Sequence, residues 1–559
     1  MNKLKCLIIG LDGATFDLIG PWIEDGSLRT LKRLMEEGAY GVLRTEFPPI
    51  TACAWSSFLT GKNPGKHGIY DFLYREEGKY TSRPNNRLTR RAFDFWQIFN
   101  QYGFSTGLIN VPMTYPPGEI KGYMITGIMT PRSHNLDRVN YTYPETLKFE
   151  IEEKVGKYSI HPRVAYRKGK AKELYEDLLR DLKVKSKTIQ YLLDKYPTDL
   201  NMFVIGGTDR IIHELYHFID PNHPYYNRWE ARKNKHFIKD YFIKVDEELG
   251  LIINKFCSKD TLIIVMSDHG MGPLYKWIHL NVWLLKEGYL KLKKSFLTRI
   301  RKMLFDIGFT PSNIYRVLLY LGFSKSNISF EQRDKLISYF FLSWDDIDWK
   351  RTQAYSRGHV GQIFINKRGR EPQGIVGEEK FHSLKREIEE KLLQLQDKNK
   401  CMVEKILDPD QIYKGPYRDL SADIIFMPWK LEYFALGTSA FVSNKPVELC
   451  FGSTGNHRME GIFIIKGEGI KKNFKIQEAR IVDVVVNLLF YYNLPIDKDM
   501  DGVVLEDIYE SEFLQSKKPI YQSFNFRSSE GELSNSKYDY SDEEVNSVKK
   551  ALKDLGYFG

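Results

Sequence analysis

Residues 44–72 read RTEFPPITACAWSSFLTGKNPGKHGIYDF, and the fold can be worked out from this stretch. Pro48 and Pro49 hold the backbone extended, because each fixes its own φ and keeps the preceding residue out of the helical region. Ile50 and Thr51 then open a run that can be helical, which predicts Thr51 near a helix N-terminus. A hydroxyl there meets free backbone N–H groups and the positive end of the helix dipole, so it suits an alkoxide or a phosphate oxygen. On this segment alone, a structural N-cap role for Thr51 is the stronger interpretation.

Buried strands and helices alternate outward from this stretch. A helix is predicted from about Pro21, with Leu28, Leu31 and Leu34 on one face. Further strands are predicted at 6–10, 104–110, 201–206, 261–266 and 421–427, and further helices at 93–101, 171–195, 235–256, 377–397 and 542–555. Such alternation favours parallel βαβ units and therefore an α/β fold.

Acidic and imidazole side chains follow the predicted strands. In an open α/β sheet, the residues beyond the carboxyl ends of the strands bind ligands. Asp209 and His213 are four apart, so on a helix they share a face. His457 is predicted in a Gly-flanked loop before another strand. The complete set at strand ends or in Gly-rich turns is Asp12, Asp209, His213, Asp268, His269 and His457.

This set of nitrogen and oxygen donors predicts metal binding. Three carboxylates and three imidazoles without a thiolate suit Zn²⁺, Mn²⁺ or Fe²⁺. Six ligands exceed one tetrahedral site, and when divided over two ions they leave open positions for a substrate. His67, His217 and His279 are interpreted as structural histidines.

Several motifs together resemble the alkaline phosphatase superfamily, specifically its type I phosphodiesterase/nucleotide pyrophosphatase branch. They occur in the family's order: LDGA (11–14), a threonine ten residues before the glycine of FLTG (58–61), NPGKHGI (63–69), TDRIIH (208–213), SDHGMG (267–272) and GNHRMEG (455–461). The resemblance implies that one ion is bound by Asp12, Thr51, Asp268 and His269, and the other by Asp209, His213 and His457. It also implies that Thr51 is the nucleophile and forms a phosphothreonine. Zn²⁺ is the expected ion, with Mn²⁺ as the alternative.

The resemblance implies a three-layer α/β/α sandwich of alkaline-phosphatase type, with a mostly parallel central sheet and an inserted helical cap. We expect the first part of the catalytic core at 1–285, the cap at 286–345, the second part of the core with cap strands at 346–510, and a tail with a C-terminal helix at 511–559. The segment 510–542 is expected to be loosely packed.

Substrate contacts are less clearly indicated by the sequence. Nucleotide pyrophosphatases have a substrate-orienting asparagine where this chain has Phe72, so the donor is absent or comes from elsewhere, and Asn110 is a candidate. Arg368 and Arg370 could pair with a second phosphate or carboxylate, or could be solvated turn residues. Sulfatase chemistry is disfavoured, because residues 51–55 contain no C-x-P-x-R pattern.

Composition limits the compartment and the partners. The net charge of +10 over 559 residues suits an anionic substrate but does not require nucleic acid, and no duplex is expected as a partner. Five widely spaced cysteines without a C-x-x-C pair suit a reducing, cytoplasmic location. The absence of an 18-residue apolar run argues against a transmembrane helix.

The basic segment 291–304, KLKKSFLTRIRKML, can place Phe296, Ile300, Met303 and Leu304 on one side of a helix. With the apolar stretch 317–321 it could lie on an anionic membrane surface. A cap folded back over the main sheet is the favoured interpretation, and the protein is then expected to stay in solution with anionic vesicles.

The expected activity is two-metal hydrolysis of phosphate esters, with phosphodiester or pyrophosphate bonds favoured over monoesters. One alternative is a phosphomutase resembling cofactor-independent phosphoglycerate mutase. Another is a membrane-surface protein that acts on or holds a lipid-linked phosphate. The expected substrate is a small phosphorylated molecule, either a nucleotide or a sugar or lipid phosphodiester.

Overall fold

The computed structural model describes residues 3–132, 139–161, 169–314, 339–437, 441–450, 452–524 and 540–554. The helices are α1 (Phe16–Glu24), α2 (Arg29–Glu37), α3 (Thr51–Thr60), α4 (Pro64–His67), α5 (Phe95–Gln101), α6 (Leu147–Lys154), α7 (Ala171–Lys195), α8 (Gly207–Leu215), α9 (Arg228–Asn234), α10 (His236–Phe256), α11 (Leu280–Lys286), α12 (Phe296–Asp306), α13 (Glu378–Leu393), α14 (Pro409–Ile412), α15 (Ile481–Tyr491), α16 (Ser511–Ser516) and α17 (Asp542–Asp554).

The strands are β1 (Cys6–Leu11), β2 (Ala39–Arg44), β3 (Leu73–Arg75), β4 (Ser82–Pro84), β5 (Thr106–Val111), β6 (Gly122–Thr126), β7 (Thr142–Tyr143), β8 (Leu200–Ile205), β9 (Leu262–Met266), β10 (Gly270–Pro273), β11 (Lys276–His279), β12 (Ala354–Ser356), β13 (Gly358–His359), β14 (Gln362–Ile365), β15 (Gln396–Asp397), β16 (Lys400–Cys401), β17 (Val403–Leu407), β18 (Ile424–Pro428), β19 (Tyr433–Gly437), β20 (Val447–Leu449), β21 (Gly455–Arg458), β22 (Glu460–Lys466), β23 (Phe474–Lys475), β24 (Ala479–Arg480), β25 (Ile496–Asp497) and β26 (Tyr521–Gln522).

One large sheet runs through the centre of the molecule. Its strand order is β23-β2-β22-β9-β1-β8-β5-β6-β7, and β24 also pairs with β2. The inner strands β9, β1, β8, β5 and β6 pair in parallel, whereas β22 is antiparallel to both of its neighbours. The sheet is therefore mostly parallel, as the sequence predicts, and the carboxyl ends of β9, β1 and β8 meet at one edge.

Two hydrophobic layers cover the two faces of this sheet. In β1, Leu7 and Ile9 belong to one layer and Cys6 and Ile8 to the other, because successive side chains of a strand point to opposite faces. Helices α1, α2, α7, α8 and α10 supply residues to the first layer, and α3, α5 and α15 to the second. This arrangement is the three-layer α/β/α sandwich that the sequence predicts.

Three details differ from the sequence-based expectations. The helix predicted from about Pro21 begins earlier, since Pro21 lies inside α1 and the predicted leucine face belongs to α2. His457 lies in β21, not in a loop, because β21 pairs with β10 at a distance of some 180 residues along the chain. Tyr540, inside the segment expected to be loosely packed, is buried and stacks on Tyr115 with 5.6 Å between the ring centroids.

Within the segment 286–345, helix α12 covers Phe296–Asp306, whereas 287–295 and 341–345 contain no α-helix. Residues 315–338 lie outside the described residues. Helix α12 is held by one face: Thr298 Oγ1 donates to Asp346 at 2.7 Å, and Phe305 contacts Phe441. Phe296 and Met303 are exposed. If the apolar face of α12 were packed against the rest of the protein, the side chains of Phe296 and Met303 would be buried.

No described helix is both long and apolar enough to cross a lipid bilayer. All five cysteines are free thiols, and only Cys401 is exposed.

Candidate active site

The predicted acidic and imidazole residues lie at the edge where the carboxyl ends of β9, β1 and β8 meet. Asp12 directly follows β1, and Asp268 and His269 follow β9. Asp209 and His213 lie on α8, which begins two residues after β8. Parallel strands bring these positions together although some 250 residues of chain separate Asp12 from His269.

Thr51 is the first residue of α3, so its hydroxyl lies at the positive end of a ten-residue helix. The side chain is buried, with 1% of its surface exposed, and Oγ1 lies 3.3 Å from Nε2 of His269. The helix N-terminus that the double proline predicts is therefore present, and it faces the acidic and imidazole residues.

Asp209, His213 and His457 form one cluster of donor atoms. Oδ1 of Asp209 lies 3.2 Å from Nε2 of His213 and 3.5 Å from Nε2 of His457. The two imidazole Nε2 atoms are 2.9 Å apart. The β10–β21 pairing carries His457 into this position, because it places β21 beside the segment that follows Asp268 and His269.

Backbone carbonyls determine which ring nitrogens of these histidines carry hydrogen. Nδ1 of His213 lies 2.8 Å from the Gly455 carbonyl, and Nδ1 of His457 lies 2.6 Å from the Pro49 carbonyl. A carbonyl oxygen can only accept, so each Nδ1 donates and each neutral ring presents a lone pair at Nε2. Two lone pairs at 2.9 Å repel each other, and a positive charge, either a proton or a metal cation, must lie between them.

Asp12, Asp268 and His269 form a second cluster. Nδ1 of His269 donates to the Gly270 carbonyl at 3.1 Å, so its Nε2 also presents a lone pair. This Nε2 lies 3.5 Å from Asp12 Oδ1 and 3.3 Å from Asp268 Oδ2. Both carboxylate oxygens are buried and accept no hydrogen bond within the described part of the chain. Three acceptor atoms thus face one another, as they do around a cation.

The electrostatics of the clusters indicate a deficit of positive charge. Burial and the neighbouring Asp209 raise the pKa of Asp12 from 3.8 to about 8, and burial together with Asp12 and Asp209 raises the pKa of Asp268. Burial and the nearby His457 lower the pKa of His269, which stays neutral. Burial disfavours charge on His213, but the carboxylate of Asp209 outweighs it and raises the His213 pKa.

The residues present fit divalent cations. In a tetrahedral site with ligands at about 2.1 Å, the donor atoms are separated by about 3.4 Å, and the separations here run from 2.9 to 3.5 Å. Two overlapping groups have ligand atoms that all lie within 4.8 Å of one another, namely Asp209 with His269 and His457, and Asp12 with Asp268 and His269. His269 belongs to both groups, so the two sites adjoin.

A small cleft with a volume of about 60 Å³ opens beside these clusters. Asp12, Thr51 and Asp209 line one part of it, and buried cationic or imidazole side chains line another. The sequence analysis did not identify these side chains, which are His161, Lys185 and Arg210. Lys185 contacts Asp181 at 2.8 Å, and Arg210 contacts Glu214 at 2.9 Å. For Lys185 and Arg210, the available signal was a charged residue among the apolar positions of α7 and α8.

The candidate substrate residues differ in their positions. Asn110 lines the cleft with φ of +59°, its Nδ2 donates to the Val204 carbonyl, and its buried Oδ1 accepts no hydrogen bond within the described residues. Arg370 instead forms a two-pronged ion pair with Asp423, and Arg368 is exposed. Neither arginine lines the cleft. Their roles in substrate binding stay predictions, as does that of Asn110.

Phe72, at the family's asparagine position, is buried against His359. His359 is in turn paired with Asp71 at 2.8 Å. The histidines interpreted as structural have local partners: His67 contacts Ser57 at 3.0 Å, His217 contacts Thr454 at 3.1 Å, and His279 pairs with Glu448 at 2.8 Å.

The sequence model of the family described as type I phosphodiesterase / nucleotide pyrophosphatase matches residues 6–428. No curated protein matches the chain significantly by sequence. Human ectonucleotide pyrophosphatase/phosphodiesterase 5 has a similar structure, with a TM-score of 0.50 and 15% identity over 91% of this chain and 100% of that one. This similarity shows a common fold, so the alkaline-phosphatase type of sandwich that the sequence predicts is confirmed.

Two further structures are similar at lower scores. An inactive threonine-to-alanine variant of murine ectonucleotide pyrophosphatase/phosphodiesterase 5, in complex with AMP, matches with a TM-score of 0.49 and 13% identity over 91% of this chain and 100% of that one. Phosphonoacetate hydrolase from Sinorhizobium meliloti 1021, in complex with phosphonoformate, matches with a TM-score of 0.48 and 14% identity over 87% and 94% of the two chains.

Proposed function

This chain belongs to the type I phosphodiesterase/nucleotide pyrophosphatase family, and on that premise we propose that it hydrolyses phosphodiester or pyrophosphate bonds with two divalent metal ions and Thr51 as the nucleophile. The observation that carries the proposal is the convergence of seven side chains from separate parts of the chain. They are Asp12, Thr51, Asp209, His213, Asp268, His269 and His457.

We assign Asp12, Thr51, Asp268 and His269 to one ion and Asp209, His213 and His457 to the other. When bound, the ions would lower the pKa of the Thr51 hydroxyl and offset negative charge on the phosphoryl oxygens. Zn²⁺ suits this set of nitrogen and oxygen donors, and Mn²⁺ is the alternative.

Thr51 carries the first chemical step of the proposal. Its Oγ attacks phosphorus and loses its proton, the bond from phosphorus to the leaving oxygen breaks, and the leaving group departs with a proton. The phosphoryl group, which in a diester substrate keeps its second ester substituent, remains bound to Thr51 as an esterified phosphothreonine. Backbone N–H groups at the start of α3 face the phosphoryl oxygens, and their dipoles favour the developing negative charge. Water then attacks the phosphothreonine and regenerates the hydroxyl.

Asn110 is proposed to orient the phosphoryl group in place of the asparagine that Phe72 replaces. It lines the same cleft as Thr51, and one hydrogen of its amide is directed to the Val204 carbonyl, which leaves the second hydrogen as a donor. Lys185 and Arg210 lie in the same cleft and suit a leaving group with a second negative charge, such as a phosphate or a carboxylate.

The test compares bis-p-nitrophenyl phosphate with p-nitrophenyl phosphate, each with Zn²⁺ or Mn²⁺ added to the metal-stripped protein. We expect faster turnover of the diester and no turnover without metal. Thr51→Ala should lower turnover roughly a thousandfold or more while other metal ligands remain in place. Turnover by the metal-stripped protein, or full activity of Thr51→Ala, would overturn the proposal.

A phosphomutase could use the same residues, because a phosphothreonine can also return its phosphoryl group to a bound acceptor. The two reactions differ in their products. Hydrolysis releases a free phosphate or a nucleoside monophosphate, whereas a mutase changes the position of the phosphate without net hydrolysis.

A further inference from the structure

Helix α12 presents an apolar stripe on the side that faces away from the molecule. Phe296, Ile300, Met303 and Ile307 follow one another at intervals of four, three and four residues, which aligns them along one face of the helix and its C-terminal cap. Their exposed fractions are 80%, 37%, 59% and 75%. The buried positions Thr298 and Phe305 lie on the opposite face. The helix is therefore anchored by one face while its apolar face is exposed.

Further exposed aromatic residues lie near the helix. The Arg301 guanidinium donates to the carbonyl of Tyr339, which brings the exposed Tyr339 and its neighbour Phe340 beside α12. Phe309, 40% exposed, follows the stripe along the chain. Soluble monomers rarely expose an apolar stripe such as that of α12 unless it binds something. We call the side chains of Phe296, Ile300, Met303, Ile307, Phe309, Tyr339 and Phe340 the α12 patch.

Basic residues flank the α12 patch. Lys293 and Lys294 precede the helix, and Arg299 lies beside the stripe, and all three are exposed. None has an ion-pair partner within the described part of the chain. The nearest acid on the helix, Asp306, is already paired with Lys302 at 2.6 Å. The flank thus carries uncompensated positive charge.

We propose that the α12 patch binds an anionic lipid surface, with the apolar stripe inserted at the level of the headgroups and the flanking cations against lipid phosphates. An apolar face bordered by Lys and Arg is the pattern of helices that lie in the plane of a membrane interface. Charge complementarity favours an anionic membrane over a second copy of this chain, because two copies would bring the same cations together. This inference favours the membrane-surface alternative over the expectation that the protein stays in solution with anionic vesicles.

The test is flotation of the full-length protein with vesicles of phosphatidylcholine mixed with phosphatidylglycerol, compared with vesicles of phosphatidylcholine alone. We expect binding to the mixed vesicles that weakens as salt is added, because exposed charges are screened. The quadruple variant Phe296→Ser, Ile300→Ser, Met303→Ser and Ile307→Ser should lower the partition coefficient by about a hundredfold or more. Changing Lys293, Lys294 and Arg299 to Gln should lower it roughly tenfold to a hundredfold.

Matched control variants distinguish binding through the α12 patch from non-specific adsorption to vesicles. Trp229, Leu251 and Val503 are also exposed apolar residues, and their replacement by Ser should leave binding unchanged. Lys183, Lys187 and Lys233 are exposed cations elsewhere, and their replacement by Gln should have less than a threefold effect. All variants should hydrolyse a small soluble diester at the wild-type rate, so loss of the proposed catalytic function would be recognised separately.

Three outcomes would overturn the proposal. If the wild-type protein is a dimer in solution that the quadruple variant converts to a monomer, and neither binds vesicles, the α12 patch is an interface between copies of the chain. If the wild-type protein is a monomer that binds neither kind of vesicle, the α12 patch is not a membrane-binding surface. Equal binding to both kinds of vesicle would contradict the role of the cations.

Discussion

The Nε2 atoms of His213 and His457 lie 2.9 Å apart, although 244 residues separate them in the sequence. Each Nδ1 donates a hydrogen bond to a backbone carbonyl, so each of the two facing Nε2 atoms carries a lone pair. A positive charge between the two lone pairs would remove their repulsion. The acidic cluster beside them has the same requirement, because Asp12 and Asp268 are buried without enough donors.

Removal of metal is therefore expected to destabilise the protein. Chelation followed by dialysis should lower the Tm by about 5 °C or more, since ligands that bind only the folded state add their binding free energy to its stability. Readdition of Zn²⁺ should restore the Tm, and differential scanning calorimetry gives the measurement. An unchanged Tm, with metal content below one ion per chain before and after, would argue against the two sites.

Asp268→Asn should stabilise the metal-free protein while it weakens metal binding. The substitution removes one of three buried carboxylates whose mutual repulsion raises the pKa of Asp12 and Asp268. We expect the Tm of the metal-free form to rise by about 1–2 °C and the metal content to fall. Asp260→Asn, at an exposed acid near the start of β9, is the matched control and should change neither quantity. A lower Tm in the metal-free form of Asp268→Asn would contradict this account.

The stability of the metal-free protein should fall as the pH rises from about 7 to about 9. The folded protein holds a proton on Asp12 up to a pKa of about 8, whereas the unfolded chain loses that proton near its ordinary value of 3.8. The folded state thus binds more protons in this range, so a rise in pH favours unfolding. Thermal melts of the chelated protein at several pH values test this, and saturation with Zn²⁺ should abolish the trend. A Tm that rises with pH would refute it.

Asn110→Asp should lower kcat/KM for the diester by about a hundredfold. The change keeps the size of the side chain but removes its donor hydrogens and adds a negative charge beside the phosphoryl group. The positive φ of +59° at this position is tolerated by Asp as by Asn, so the backbone conformation should be retained, although the hydrogen bond to the Val204 carbonyl is lost. The control is Asn100→Asp, because Asn100 lies outside the cleft. Wild-type kinetics for Asn110→Asp would remove it from the site.

Lys185→Met should raise KM for a substrate whose leaving group carries a second negative charge by about tenfold, with a small effect on kcat. A charge-assisted hydrogen bond from the buried ammonium group would be lost. The control is Lys183→Met, two positions earlier on α7 and exposed, which should not change KM. The same KM increase with a leaving group that lacks the second charge would show a structural effect instead.

The sequence was sufficient for the positions that depend on local pattern. The spacing of Asp209 and His213 predicts a common helix face, and both lie on α8. The double proline predicts the helix N-terminus at Thr51, where α3 begins. Local pattern cannot show that β21 pairs with β10, because that pairing is decided by strands far apart in the chain, and so His457 was expected in a loop.

The same limit applies to the cleft and to α12. Apolar spacing predicts α7 correctly, but it does not show that Lys185 on this helix faces the cleft, since that depends on how α7 packs. In α12 the spacing correctly groups Phe296, Ile300 and Met303. Which face of α12 is buried is decided by Thr298 and Phe305, through contacts with Asp346 and Phe441 that are remote in sequence.

The central claim is that Thr51 accepts the phosphoryl group. The most direct measurement is mass spectrometry of the Zn²⁺-loaded protein, quenched in acid during turnover of the diester and digested. The account predicts one phosphoryl group that still carries the second ester substituent of the diester on the peptide that contains Thr51, and none on the same peptide from the Thr51→Ala variant. The account would be contradicted if the peptide that contains Thr51 stayed unmodified during steady turnover. Wild-type activity of the Thr51→Ala variant would contradict it as well.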